Sequence, residues 1–284
     1  MSGGRAYTII AVKHVVFKFA LCAWVAGLGP GCVVRPRGLV ALNAAAPTPA
    51  VDYGDLAAVL ESVLDDDALI VPDALKQQAK RLDRQLARLA VTGPTATSDL
   101  LRTADDVLAY WYNARAAWSL KLIALADCPQ RIRRTELLAR PFRLDGREMT
   151  LAMIDGILAA EHDWRVLVAS PGVLLQRAAL PREPFEAGGI KAAIGRRVNE
   201  FVDDARRFVI DVSGQRILVP PVLWQFKDRL IDEYETKYGT TGAKFATALL
   251  PYLGGSALRR IQDTIGYAAV RAGRTGRVAR KPDE

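Results

Sequence analysis

Apolar residues recur at helical spacing through most of this chain. Leu56, Val59, Leu60, Val63 and Leu64 share one face after Asp52-Tyr53. Leu75, Ala79, Leu82, Leu86 and Leu89 form a second stripe, with Lys, Arg, Gln and Asp between them. Thr92-Gly93-Pro94 stops that helix. Val107, Trp111, Ala114, Trp118, Leu122 and Leu125 give a third stripe, closed by Cys128-Pro129. Phe142-Arg143-Leu144 predicts a short strand turning at Asp145-Gly146, and Thr150 can cap a helix that runs to about Glu161. Arg165 to Ala169 reads as a short β-rich run. Ile190, Ile194, Phe201, Ala205 and Phe208 mark a long helix. Val209-Ile210-Asp211-Val212 and Arg216-Ile217-Leu218-Val219 flank Ser213-Gly214, the pattern of a small hairpin. Leu223, Phe226, Leu230 and Tyr234 make another helix, and two more occupy roughly 243–253 and 257–270. The expected fold class is α+β, a predominantly helical single domain over 51–270 with a small minor β-sheet or hairpin. No internal repeat interrupts it.

The first 32 residues break this pattern. Arg5, Lys13, His14 and Lys18 form a positive stretch ahead of the apolar run Phe19 to Leu28. That run falls short of the roughly 18–20 residues a bilayer-spanning helix needs. Its length is that of a secretory leader. Leu28-Gly29-Pro30-Gly31-Cys32 then resembles a degenerate lipobox, in which Leu28 stands one place too early but small residues directly precede Cys32. Processing there would leave Cys32 as a lipidated N-terminus whose acyl chains supply membrane affinity. A cleaved signal cut near Ala44-Ala45-Ala46, an uncleaved anchor and a non-exported protein with an apolar N-terminus are the alternatives. Residues 33–50, with three prolines and many alanines, read as a flexible tether.

Charge sharpens the division. The net charge is +8, and residues 1–46 supply +5 of it with no acid at all. Residues 271–284 supply the remaining +3, with Arg271, Arg274, Arg277 and Arg280 at every third place. The body from 47 to 270 balances 29 basic against 29 acidic residues. A nucleic-acid-binding body should carry a basic face, so no nucleic-acid partner is expected. The glycine-containing tail reads as disordered and able to touch anionic lipid head groups.

Chemistry-bearing residues are scarce. Cys128 and His162 are the body's lone thiol and imidazole, so neither a disulfide framework nor a zinc spacing is present, and no metal or cofactor is expected. Trp111-Tyr112-Asn113-Ala114-Arg115-Ala116-Ala117 is the most distinctive run. Trp111, Asn113 and Ala114 match three places of a hallmark helix, approximately Trp-Ile-Asn-Ala-Tyr-Asn-Ala. Val51-Asp52-Tyr53, Phe142-Arg143-Leu144-Asp145-Gly146, Thr150-Leu151 with Ile154-Asp155, Trp164-Arg165-Val166, Phe201 and Trp224 follow in matching order. Together they resemble the domain of unknown function 547 family from residue 51 to about 267. The resemblance implies two histidines and a cysteine-containing run that this chain lacks. Gly156 and Leu167 stand in the histidine places, and Val168-Ala169-Ser170-Pro171-Gly172 holds no cysteine. A nucleophilic-cysteine mechanism needs a thiolate and a neighbouring base.

The expectation is therefore an exported or membrane-anchored envelope protein acting as a non-catalytic binding or structural module. The rival is a hydrolase or acyl-transfer enzyme with a relocated site drawn from Cys128, His162 and Asp155. Cys128 and His162 both have flanks that suit ordinary surface positions. Asn113, Arg165 and Trp111 are the candidate ligand-binding residues. Asp155 is expected to pair with Arg165, and Asn113 to lock a helix to a loop. Ser170-Pro171-Gly172 lacks the Gly-x-Ser-x-Gly pattern of a nucleophile turn, and Gly188-Gly189 before a helix carries no further part of a phosphate-binding fingerprint.

Overall fold

The computed structural model describes residues 38–45 and 47–282. The leader and Cys32 lie outside the described residues. Among those described, twelve α-helices and five short strands follow one another along the chain. They are α1 (Gly54–Val63), α2 (Pro72–Gln77), α3 (Ala79–Val91), α4 (Ala104–Ala124), α5 (Arg134–Leu138), β1 (Phe142–Leu144), β2 (Arg147–Met149), α6 (Leu151–Ala159) and α7 (Arg165–Ala169). Then come α8 (Ile190–Asp203), β3 (Val209–Asp211), β4 (Arg216–Val219), α9 (Pro221–Trp224), α10 (Lys227–Tyr238), α11 (Phe245–Leu249), α12 (Gly255–Gln262) and β5 (Ala268–Arg271). The body is α+β and mostly helical, as the periodicity predicts.

Helix α4 is the axis. Every residue from Ala109 to Ile123 is buried, so this helix is covered all round rather than along one stripe. It starts at a capping box, in which the Thr103 hydroxyl accepts from the Asp106 N–H and the Asp106 carboxylate accepts from the Thr103 N–H. Helices α2, α3, α5, α6 and α8 all pack against it, and α1 lies on α3. Tyr110 donates its hydroxyl to the Leu89 carbonyl at the end of α3. Tyr112 donates its own to the Val166 carbonyl in α7. Trp118 stacks on Phe142 of β1, centroids 4.1 Å apart and planes 12° off parallel.

The β1–β2 hairpin turns through Asp145 and Gly146, both at positive φ (55° and 70°). That backbone matches the right-handed twist of the flanking strands and is the reason an Asp-Gly pair closes a two-residue hairpin. The turn also docks. Asp145 accepts from the Thr95 and Ala96 N–H groups, and Asp145 and Gly146 donate to the Leu89 and Ala90 carbonyls. A side chain at Gly93 would collide with the Asp145 carboxylate, which is why the residue after Thr92 must be glycine.

Four expectations need correction. Arg165 to Ala169 is helix α7, not a strand. Asp163 Oδ1 accepts from the Arg165 N–H at its start, and the apolar Val166 to Ala169 are buried together against α8. Tertiary packing overrides the β-branched preference. The expected helix over 257–270 ends at Gln262, and Ala268–Arg271 instead runs parallel to β4, giving a sheet in the order β3-β4-β5.

The stretch read as a tether is tied down where it is described. Val40 is buried and donates its N–H to Pro141, Asn43 donates to Asp83, and Ala50 donates to Thr92.

The tail is ordered too. Val278 and Ala279 are buried. Residues 276–281 exchange backbone hydrogen bonds with Ile70, Gln130, Ile132, Val173 and Leu175, stitching three distant loops together. Its glycine-rich composition suggests disorder, but its polar backbone is satisfied by neighbouring extended segments. Val278→Ala is expected to cost about 2 kcal/mol of stability through lost burial and a small cavity, read as a lowered denaturant midpoint at unchanged slope. A midpoint equal to that of the parent would mean that the tail is not part of the cooperative unit.

Candidate functional site

Asn113 faces a loop, not a ligand. Its Nδ2 donates to the Phe185 carbonyl at 2.9 Å and its Oδ1 accepts from the Phe185 N–H at 2.8 Å. The side-chain amide thus imitates a paired strand and fixes the 179–186 loop to α4, and it also bonds to the Tyr53 side chain, so the buried amide is held from two sides. Trp111, 4% exposed, lies edge-on against Tyr110 and presents no open ring face. Arg165 sits apart from both, forking onto Asp163 through its Nε and Nη2 and lying over the Tyr252 ring. The three ligand-binding candidates therefore do not converge.

Asp155 does not meet Arg165 either. Its Oδ1 accepts from Arg115 Nε at 2.8 Å, and its Oδ2 pairs with Arg177. The three side chains are only 14%, 3% and 8% exposed. Burial pushes the Asp155 carboxyl upward, but the two opposed guanidinium charges outweigh it and hold it below the usual carboxylate range. Burial in turn pulls Arg177 down to about 10, leaving it charged at neutral pH. Arg115 also donates to the Pro171 carbonyl, and Arg177 reaches Ser170, whose hydroxyl donates to Leu167. Gly172 lies against this pair. A Cβ there would come within 2.9 Å of Arg115 Nη1 and 3.0 Å of Arg177 Cβ. The Ser170-Pro171-Gly172 turn thus serves as a backbone bracket for two buried arginines. Reading the sequence for nucleophiles missed Arg115 and Arg177. The available signal was an arginine amid Trp, Tyr and Ala in a helix buried all round, which needs an acid partner once enclosed.

Cys128 and His162 lie in different places. Cys128, expected at the surface, is buried at the end of α4 with φ 46°. Its N–H bonds to Ile123 and its carbonyl accepts from Arg280 of the tail. His162 is exposed beyond α6, and its carbonyl accepts from Arg229 of α10. No hydrogen bond joins thiol to imidazole among the described residues. Nor do three His, Cys, Asp or Glu side chains gather there in a way that could hold a metal ion.

An open groove of about 1390 Å³ lies between the start of α1, the 65–68 turn, the 179–186 loop and α8. Tyr53, Asp66, Arg182, Phe185, Arg196 and Arg206 line it with charges of both signs. Burial pushes the Tyr53 hydroxyl up to about 12, which keeps it a hydrogen-bond donor throughout the physiological range. Asn113 holds one wall of this groove through Phe185. That wall was not foreseen, because nothing in Pro184-Phe185-Glu186 marks a partner 72 residues away. No family model, no curated protein and no solved structure matches the chain.

Proposed function

We propose that this protein is an exported, membrane-anchored envelope module that binds or scaffolds rather than catalyses, a divergent relative of the domain of unknown function 547 family. The observation that carries the reading is the employment of its polar residues. Asn113 is consumed by the Phe185 backbone, Asp155 by Arg115 and Arg177, and Cys128 lies buried beneath the tail. A nucleophile requires a base within about 3 Å and a path for substrate; the thiol is buried, and His162 is an exposed residue beyond α6 whose carbonyl is held by Arg229. The mixed-charge groove walled by Phe185 is the surface suited to a polar partner. Among the described residues no helix is long and apolar enough to cross a membrane, so anchoring falls to the N-terminal leader and a lipid on Cys32.

Two labels test the two halves of this reading. A palmitate analogue fed to expressing cells should mark the parent and not Cys32→Ser; label that persists in the variant overturns lipidation at this residue. A broad cysteine-directed activity probe at neutral pH should leave native protein unmarked at Cys128, and strong labelling there would favour a catalytic thiol.

A further inference from the structure

A second, smaller cavity of about 30 Å³ lies beside the buried ion cluster, lined by Arg115, Ser119, Arg134, Gly172, Gln176 and Arg177 among others. Its charge does not balance. Arg115 and Arg177 share the single carboxylate of Asp155. Arg134, at the start of α5 and half-buried, has no acid partner among the described residues. It stands within electrostatic reach of Asp155, Arg115 and Arg177 and also of Arg271 and Arg274. Burial, and after it Arg274, depress the Arg134 guanidinium. Glu136, the nearest acid along the chain, lines a separate cavity with Leu122, Ile132 and Arg140.

The fold builds this excess rather than leaving it to loose side chains. Gln176 donates to the Gly273 carbonyl and accepts from the Thr275 N–H, which pins the segment carrying Arg274 beside the cavity. The bridge between Arg131 and Arg277, with the Ile132 N–H donating to Gly276, fixes the approach to α5 against the tail. The lining arginines exceed the one carboxylate by two charges, and Arg271 and Arg274 add to the surrounding field. Like charges assembled in a partly desolvated place are costly without a counter-ion. A cavity of about 30 Å³ has room for one or two waters, so it seats one oxygen edge of an oxyanion against the arginines and leaves the rest of the group at the open mouth, with no space for a whole metabolite. Guanidinium forks suit such a group bidentately; free phosphate, at about −1.5 to −2 charge near neutral pH, matches the local excess of two, and a phosphodiester head group, with one charge, offsets half of it through two equivalent oxygens.

We propose that Arg134, together with the lining Arg115 and Arg177 and with Arg274 on the neighbouring pinned segment, forms a binding site for a phosphate-type oxyanion, either free phosphate or the head group of a phospholipid. The site does not depend on lipidation or export, so it can stand or fall apart from the function proposed above.

The test is calorimetric titration of the full chain in neutral detergent with inorganic phosphate at constant ionic strength. A parallel arm measures binding to vesicles of phosphatidylcholine with or without phosphatidylglycerol. Saturable binding is expected in the parent, weakened at least about tenfold by Arg134→Ala and less by Arg134→Lys, since one charge-assisted contact carries roughly that factor. The exposed neighbour Arg133→Ala is the control for loss of a charge alone and should change binding little. Soluble phosphate binding lost in Arg134→Ala assigns free phosphate. Loss confined to phosphatidylglycerol vesicles, and larger than that of Arg133→Ala, assigns a lipid head group. Binding by Arg134→Ala equal to the parent's, or no saturable binding in either arm, overturns the site.

Discussion

Trp118→Ala should lower stability by about 3–5 kcal/mol, the range for a fully buried tryptophan, and by itself should remove a large share of the 5–15 kcal/mol typical of a domain. The side chain is completely inaccessible and lies face-to-face on Phe142. Its loss opens a cavity at the junction of α4 with the first hairpin. Collapse around that cavity is hindered because β1 is held from behind by the Asp145 turn, which is itself bonded to Leu89, Ala90, Thr95 and Ala96. The indole Nε1–H has no acceptor among the described residues. Trp118→Phe, which keeps a ring on Phe142 and removes that unsatisfied donor, should therefore cost much less. Urea unfolding followed by far-ultraviolet circular dichroism measures both. A Trp118→Ala midpoint near the parent's would mean that α4 is not the axis of the core.

Asp155→Ala is expected to be comparably severe, at about 3–5 kcal/mol, because it strands Arg115 and Arg177 without a counter-charge. The effect has a pH signature. The Asp155 carboxyl is held below its unfolded value near 3.9. Its contribution is therefore complete above that value and is lost as pH falls through the lower, folded one. The parent should hold its stability from neutral pH down to about 5 and lose it more steeply below about 4. Asp155→Asn should start lower and show a shallower acid decline. Added salt should change little at neutral pH, since charges this enclosed are poorly screened. Identical acid profiles for parent and variant would remove Asp155 as the source of the decline.

The features legible in the sequence share a cause. The stripes of α1 and α3, the Thr150 cap, the Asp145-Gly146 turn and the 209–219 hairpin are set by residues within a turn or two of one another. What stayed hidden is set across long separations. Asp155 finds Arg115 and Arg177 at 40 and 22 residues' distance and ignores Arg165, whose own neighbour Asp163 captures it locally. Asn113 finds Phe185 in the same way. The tail escaped detection for a different reason. Its order comes from backbone hydrogen bonds to extended neighbours and from two small apolar residues, Val278 and Ala279, set among arginines and glycines whose composition resembles that of a solvated chain end. Of the candidate site, Asp155 and Asn113 were legible as polar residues worth weighing, and the arginines that meet Asp155 were not singled out.

The seam formed by residues 276–281 also sets an order of events in time. Ile70 bonds to Ala279 and Lys281, so a contact at the edge of the first helices waits for a segment about 210 residues farther along the chain. Closing so long a loop is entropically slow. While synthesis proceeds at about 5–20 residues per second, the segments around Ile70, Gln130 and Val173 remain without their shared partner. Those three segments thus stay open on one side until the seam emerges behind them, and the body locks in a single late step rather than piece by piece.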